Sequence, residues 1–263
     1  MVNDRHSHLA LLTVVMGMLA LLQPVRGVPS LQLYSPGAEY NEDTEAWLTY
    51  DDPFTLTVAG AKSPAGVHRV ENVQLWISLP QVYQDSNFSQ NGGDVSVTVR
   101  ELSSSGNVVE TLNLGQDDLK NGLPGMGPNE THTVPPHGAY PTDYWKLDLD
   151  NLEVASAGET VYNYDAQFDP QNPGEGHSGD LQHYEIEYTP YDPEVLLHID
   201  LGGHLVDEGG QSIPSQPSSY RFAPFSHDAD AAYTPEPATL TLFSLLLCGA
   251  VGTVLWRARK RSA

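Results

Sequence analysis

Residues 73–79 read Val-Gln-Leu-Trp-Ile-Ser-Leu, a stretch in which the odd-numbered positions are all aliphatic and the even-numbered ones are not. Successive side chains of a β-strand point to opposite faces of a sheet, so this period of two predicts a strand with one aliphatic face. A helix would instead place its apolar residues three and four positions apart. The segment therefore predicts a sheet with a buried aliphatic side.

The same period recurs along residues 28–233. The clearest further segments are 54–58, 95–100, 181–188 and 195–201, and shorter candidates are 31–34, 46–50, 108–114, 144–149 and 160–164. Turn-forming residues separate them, and two longer stretches rich in Gly and Pro lie at 115–138 and 165–179. Roughly ten short strands joined by turns predict an all-β fold, an antiparallel β-sandwich of jelly-roll or Greek-key type.

The first 27 residues have the features of a secretory signal. Arg5 supplies positive charge, and Leu9–Leu22 form a 14-residue apolar run that is short for a membrane-spanning helix. Val25 and Gly27 stand three and one positions before a cut between Gly27 and Val28. We expect an N-terminal signal helix that is removed there; a permanent N-terminal anchor is the alternative.

The other end of the chain carries three features in immediate succession. Residues 235–240 read Pro-Glu-Pro-Ala-Thr-Leu, residues 238–256 are 19 positions without a charge, and four of the next five residues are basic, namely Arg257, Arg259, Lys260 and Arg261. A helix of that length spans roughly 28 Å, close to the thickness of a membrane's hydrocarbon core. Basic residues beyond a span are retained in the cytoplasm, so we expect a C-terminal transmembrane helix and export of residues 28–236.

This arrangement resembles the PEP-CTERM sorting signal. The resemblance rests on Pro235, Glu236, Pro237, Thr239 and Leu240, followed by the apolar span and the basic cluster. It implies transport by the export machinery and recognition by an exosortase, a membrane-embedded cysteine protease or transpeptidase. It also implies that the processed protein is released or attached at the cell surface or in extracellular polymer. An ordinary single-pass anchor is the alternative.

A second resemblance covers parts of the exported region. This region is similar to the choice-of-anchor N family of exported bacterial surface proteins at residues 31–38 with 45–47, at 137–141 and at 222–229. Members of that family carry different C-terminal anchors, so the resemblance implies an anchored ectodomain and no particular activity.

These features divide the chain into four parts. We expect a signal peptide at 1–27, a β-sandwich ectodomain at 28–224, a flexible stalk at 225–234 and a sorting signal at 235–261, with the transmembrane helix at 238–256.

Charge and cysteine content limit the partners of the exported region. Within 28–236 there are 33 acidic and six basic residues, a formal charge of −27. Nucleic-acid binding requires a basic surface and is therefore excluded, whereas divalent cations are compatible with an acidic one. The single cysteine, Cys248, lies in the apolar span, so the exported part has neither a disulfide nor a thiol site.

Acidic residues near turns are candidate ligands for a structural ion. They are Asp148, Asp150, Asp165 and Asp169, with Asp228 and Asp230 near the stalk. Hard oxygen ligands from loops suit Ca²⁺, although none of these residues fits the EF-hand register. We expect no required cofactor, with structural Ca²⁺ as the alternative.

A histidine and an aspartate share one face of the segment 195–201. His198 and Asp200 are two positions apart on a strand, an arrangement that can begin a zinc or iron site, and His204 and Asp207 follow within ten residues. The opposite face of the segment is aliphatic. The alternative is therefore that His198 and Asp200 simply lie on the solvated face.

Aromatic residues around a proline-containing loop give the alternative function. Tyr140, Tyr144 and Trp145 could form an exposed platform for sugar stacking, or they could cover the fold as a second core. The sequence contains no Gly-x-Ser-x-Gly elbow, His-Glu-x-x-His pair or phosphate loop. We expect an exported surface or matrix protein without catalytic activity, and the alternative is a module that binds extracellular polysaccharide.

Overall fold

The computed structural model describes residues 28–43, 46–62, 66–79, 95–126, 132–134, 142–165, 167–189, 196–213, 220–224 and 228–232. These ranges contain sixteen β-strands and a short 3-10 helix at Gln116–Asp118, and no α-helix occurs within them. The prediction of an all-β fold is confirmed.

The first eight strands are β1 Leu31–Tyr34, β2 Glu39–Asn41, β3 Ala46–Thr49, β4 Phe54–Ala61, β5 Arg69–Leu79, β6 Ser96–Leu102, β7 Val108–Leu114 and β8 Lys120–Gly122. The remaining strands are β9 Gly125–Met126, β10 His132–Thr133, β11 Thr142–Asp148, β12 Glu159–Val161, β13 His177–Thr189, β14 Leu196–Val206, β15 Tyr220–Phe222 and β16 Asp228–Ala232.

The strands form two large sheets. Sheet A has the order β1-β4-β13-β6-β7, with β12 beside β13, and sheet B has the order β2-β3-β16-β14-β5-β11-β8, with β15 beside β14. Strands β9 and β10 pair separately. Antiparallel pairing dominates both sheets, but β16 runs parallel to β3 while it is antiparallel to β14. The last described strand is therefore inserted between two others and does not extend an edge.

Aliphatic side chains of the two sheets share one core. Strand β5 contributes the predicted face, since Val73, Leu75, Ile77 and Leu79 are all buried, and sheet A contributes Leu56, Val58 and Ile186, among others. Each large aliphatic side chain that is fully buried stabilises a fold by about 1.5–3 kcal/mol. The shared core therefore holds the two sheets against each other.

Each of the ten predicted segments overlaps an observed strand. The segments 31–34 and 108–114 coincide with β1 and β7, and β4, β5, β13 and β14 each extend beyond their predicted lengths. The stretch 115–138, predicted as a loop, contains the short strands β8, β9 and β10. Strands of two or three residues show too little alternation to be distinguished from turns.

The prediction of a flexible stalk at 225–234 is wrong for residues 228–232. These residues form β16, and the first four of them are buried. Ala229 and Ala231 belong to the shared core, whereas Asp228 and Asp230 occupy the alternate positions of the strand. Two alanines are a weak apolar signal between aspartates, so the local sequence resembles a polar linker. The folded domain extends at least to Ala232.

The predicted signal helix and transmembrane helix lie outside the described residues, which begin at Val28 and end at Ala232. Within the ranges given above, no helix is both long enough and apolar enough to cross a membrane.

Candidate functional site

Four ionisable side chains lie together on the face of sheet B that points away from the shared core. His198 and Asp200 are two positions apart on β14, and Asp228 and Asp230 are two positions apart on β16. The two strands are antiparallel neighbours in which His198 is opposite Asp230. We call these four residues the His–Asp cluster.

The aliphatic residues between them fix this orientation. Leu197 and Ile199 on β14, with Ala229 and Ala231 on β16, belong to the shared core. Alternate residues of a strand must then point to the opposite face. That face is not solvated, because the four members of the His–Asp cluster are between 1% and 8% exposed. The alternative that His198 lies on a solvated face is wrong.

The imidazole of His198 contacts a carboxylate on each side. Its Nδ1 donates a hydrogen bond to Asp230 Oδ1 at 2.7 Å, and its Nε2 lies 3.4 Å from Asp200 Oδ2. One ligand atom each from His198, Asp200 and Asp228 can be chosen so that all three lie within 4.8 Å of one another. The cluster therefore presents one imidazole nitrogen and several carboxylate oxygens to a common point.

Burial and charge act on the cluster together. Burial by itself lowers the pKa of His198, but the charge and contact of Asp200 and the hydrogen bond to Asp230 prevail, so that pKa lies well above its ordinary value. The pKa of Asp228 is raised well above its ordinary value, first by burial and then by the charge of Asp200.

The neighbours of the cluster on β5 are buried as well. Ser78 lies opposite His198 and Trp76 lies opposite Asp200 across the β5–β14 pairing, and both are fully buried. Trp76 belongs to a small outer cluster with Val134 and Tyr144, against which Phe222 packs. The four ionisable groups therefore have little contact with solvent.

The proposed sugar-stacking residues are not an exposed platform. Trp145 is fully buried in the shared core, where its Nε1 donates a hydrogen bond to the Gly115 carbonyl at 2.8 Å, and Tyr144 is 3% exposed. Because these neighbours on β11 point to opposite faces of sheet B, one fills the shared core and the other the small outer cluster. Tyr140 lies outside the described residues. The platform prediction is wrong for Trp145 and Tyr144. Tyr144 fits the second-core alternative, whereas Trp145 belongs to the shared core.

Two of the calcium candidates share a groove. Asp148 and Asp150 line a groove of about 120 Å³ whose other polar side chains are Glu101, Glu110 and Tyr184. Burial, followed by the charges of Asp150 and Glu110, raises the pKa of Glu101. The groove is open to solvent, where acidic residues are common without a bound ion.

The other two calcium candidates stabilise their own loop. Asp165 accepts hydrogen bonds from the Gln167 backbone N–H and from the Asn163 side chain, and Asp169 accepts one from the Gln171 backbone N–H at 2.8 Å. Such contacts are typical of aspartates that shape turns. Among the described residues, none of the four candidates belongs to a group of three carboxylate or imidazole ligands that could share an ion.

The two later residues of the predicted zinc or iron set lie elsewhere. His204 Nε2 is 2.9 Å from Ser212 Oγ, and Asp207 accepts backbone hydrogen bonds from Gly209 and Gln211 in a turn. A register irregularity between Gly202 and His204 separates them from the first half of β14. The partners that complete the cluster come instead from β16, and the alternation Asp-Ala-Asp-Ala at 228–231 is the only sequence signal for them.

The predicted processing residues lie almost entirely outside the described ranges. Gly27 lies outside them, and so do all the sorting-signal residues, namely Pro235, Glu236, Pro237, Thr239, Leu240, Arg257, Arg259, Lys260 and Arg261. Val28, the predicted first residue after signal cleavage, is buried against a cluster that includes Ala59 and Val161.

No family model and no curated protein matches the sequence. One solved structure, described as "AvmM Catalyzes Macrocyclization in Alchivemycin A Biosynthesis", aligns with 79% of this chain and 91% of its own at 8% sequence identity and a TM-score of 0.32. A likeness at that level carries no argument about function.

Proposed function

We propose that this chain is an exported protein of the cell surface or extracellular matrix, without catalytic activity of its own. In this proposal the export machinery delivers it and an exosortase processes it at residues 235–261. Its exported part is an antiparallel β-sandwich of jelly-roll or Greek-key type between a signal helix and a transmembrane helix.

The observation that carries the proposal is the order of three features in the sequence. Pro235-Glu236-Pro237 directly precedes 19 uncharged residues, which directly precede four basic residues within five positions. Each has a physical role in sorting. Prolines favour an extended backbone, the apolar span places the site at the membrane, and the basic residues stop transfer.

The end of the folded domain supports the same interpretation. The last described strand ends at Ala232, three positions before Pro235. A cut at 235–237 would therefore remove the apolar span and the basic cluster without removing a described strand. It would also remove Cys248, which leaves a cysteine-free and strongly acidic domain outside the cell.

The test is the mass of the mature protein in a host that has an exosortase. We expect an N-terminus at Val28 and a C-terminus near 235–237, and we expect replacement of Pro235-Glu236-Pro237 by three alanines to leave the basic tail in place. Retention of Arg257–Arg261 in the mature surface form of the unaltered protein would contradict the proposal.

The polysaccharide-binding alternative now needs a surface other than Trp145 and Tyr144. Glycan-array binding that is lost on Tyr140→Ala, with an unchanged circular dichroism spectrum, would favour it. Binding that is unaffected by that substitution would remove the last of the three residues predicted for stacking.

A further inference from the structure

The His–Asp cluster contains more acidic than basic groups. Three carboxylates share one imidazole in an interior where the members are at most 8% exposed. Buried charges are costly unless they are paired or coordinate a metal. One ligand atom each of His198, Asp200 and Asp228 can lie within 4.8 Å of the other two, and imidazole nitrogen and carboxylate oxygen are the donors that zinc takes.

The imidazole is held as metal-binding imidazoles usually are. Asp230 accepts the hydrogen bond of His198 Nδ1 at 2.7 Å, which leaves Nε2 directed away from that carboxylate. Metal-ligating histidines commonly donate their other ring N–H to a carboxylate, which fixes the ring orientation and raises the basicity of the ligating nitrogen. This hydrogen bond is an observation separate from the number of carboxylates.

The spacing of Nε2 and the nearest carboxylate also fits an ion. His198 Nε2 and Asp200 Oδ2 are 3.4 Å apart, which is long for a hydrogen bond of ordinary length. Two ligands of a tetrahedral zinc ion, each about 2.0–2.2 Å from the metal, are separated by about 3.3–3.6 Å. The separation therefore needs little adjustment to accept an ion.

An indole donor adjoins the cluster. Trp76 lies beside Asp200 on the neighbouring strand, is fully buried, and its Nε1 makes no hydrogen bond with the described residues. Cross-strand partners point to the same face of a sheet, and an indole N–H can only donate. A water or other oxygen ligand that completed the coordination of an ion would supply the acceptor that this buried donor lacks.

We propose that the His–Asp cluster is a structural site for one divalent transition-metal ion, for which zinc is the best match. His198 Nε2 and one carboxylate oxygen each of Asp200 and Asp228 bind the ion. Asp230 orients the imidazole and is a positioning residue.

The donor set distinguishes zinc from calcium. Zinc is bound by imidazole nitrogen and carboxylate oxygen in four-coordinate sites, whereas calcium takes six to eight oxygen ligands. Three buried ligands that include an imidazole match the first description. Of the Ca²⁺ candidates from the sequence, Asp228 and Asp230 belong to this cluster, whereas Asp148, Asp150, Asp165 and Asp169 do not contribute to it.

Such an ion would join the last described strand to the centre of sheet B. Two of the ligating groups are on β14 and one is on β16, which consists of only five residues. The core side chains of β16 are small alanines, so hydrophobic burial stabilises this strand less than its neighbours. The ion would compensate for that at the strand nearest to the proposed sorting signal.

The first test is metal binding by the full-length chain purified in mild detergent and dialysed against a chelator. After the chelator is removed, we expect titration calorimetry with Zn²⁺ to give one high-affinity equivalent per chain and Ca²⁺ to give none at the same concentrations. Because a ligand that binds the folded state raises apparent stability, the melting temperature should rise with free Zn²⁺. Absence of a saturable equivalent would overturn the proposal.

Variants test whether the one equivalent of bound Zn²⁺ occupies the His–Asp cluster. Asp228→Asn and His198→Gln should abolish it, and Asp230→Asn should lower its affinity by about 10–100-fold, as is typical for residues that orient a ligand. The double variant Asp148→Asn/Asp150→Asn is the matched control, since it removes two exposed carboxylates and should keep the equivalent. Loss of Zn²⁺ binding in this control, or its retention in His198→Gln, would refute the assignment of the bound ion to the His–Asp cluster.

A spectroscopic readout covers the case in which a buried variant does not fold. Co²⁺ added to the metal-free unaltered chain should give the visible absorption of a four-coordinate ion, and one equivalent of Zn²⁺ should displace it. In the same sample, the imidazole NMR signals of one histidine should shift on zinc binding. A six-coordinate cobalt spectrum with no histidine shift would show that the ion binds only to surface carboxylates.

Discussion

His198 Nδ1 lies 2.7 Å from Asp230 Oδ1, although 32 positions separate the two residues in the sequence. The pair connects β14 to β16 on the face opposite the shared core, directly across the antiparallel register. Both side chains are buried, so each compensates for the desolvation of the other.

Replacing Asp230 by alanine should destabilise the fold strongly. Removal of one partner from a buried ion pair leaves the other charge without compensation and costs about 3–5 kcal/mol. Urea unfolding in the presence of a chelator measures the protein's own contribution. Asp43→Ala, at an exposed position, is the control and should change the free energy of unfolding by no more than about 0.5 kcal/mol. Equal effects of the two substitutions would contradict the role of the pair.

Trp145 should act in stability and not in sugar binding. Trp145→Phe keeps a ring in the core but leaves the Gly115 carbonyl without its donor, at a cost of about 1–3 kcal/mol. Trp145→Ala should cost about 3–5 kcal/mol because it also creates a cavity. Val109→Thr, at a position that is 64% exposed, should be near neutral. Thermal unfolding followed by circular dichroism compares the three variants, and a Trp145→Phe protein as stable as the original would be evidence against the buried hydrogen bond.

Gly179 should not tolerate a side chain. A Cβ at this position of β13 would lie 2.2 Å from the Gly60 carbonyl oxygen and 2.5 Å from Val161 Cγ2, so the paired backbones would have to separate. We expect Gly179→Ala to lower the free energy of unfolding by about 1–3 kcal/mol. Gly115→Ala is the matched control, because the nearest atom to its Cβ is 3.9 Å away. A smaller loss for Gly179→Ala than for the control would exclude the close approach of β13 and β4.

The acidic groove should give a measurable dependence of stability on pH. Burial and the charges of Asp150 and Glu110 raise the pKa of Glu101 in the folded state. A carboxyl with a raised pKa contributes stability below its unfolded pKa and loses that contribution as the pH rises through its folded value.

Glu101→Gln should therefore be slightly more stable than the original protein at neutral pH, by no more than about 0.5 kcal/mol because solvent screens the groove. The difference should vanish at acidic pH and become smaller in high salt, which screens the charges of Asp150 and Glu110 but does not remove the effect of burial. Urea unfolding at several pH values checks this, with Glu42→Gln as an exposed control. A gain that persists at low pH would point to a cause other than charge.

Much of the fold could be predicted because alternation is a local property. The aliphatic positions of 73–79 and 197–201 follow the pleat of the backbone, and the structure places them in the shared core. The strand β16 was missed because Ala229 and Ala231 are small and stand between aspartates. The burial of Trp145 was missed because alternation indicates that two faces differ but does not say which of them is covered.

The sequence by itself determined the strand-forming segments, the aliphatic core face, the strong negative charge and the absence of cysteine from residues 28–236, because each depends on the order or number of residue types. It also supports the prediction of a sorting signal at 235–261, whose features are contiguous. Only the tertiary structure decided that Asp228 and Asp230 lie beside His198 and that the second face of β14 is buried. The physical reason is that strand pairing and coverage arise from contacts between distant segments, and these leave no local period in the sequence.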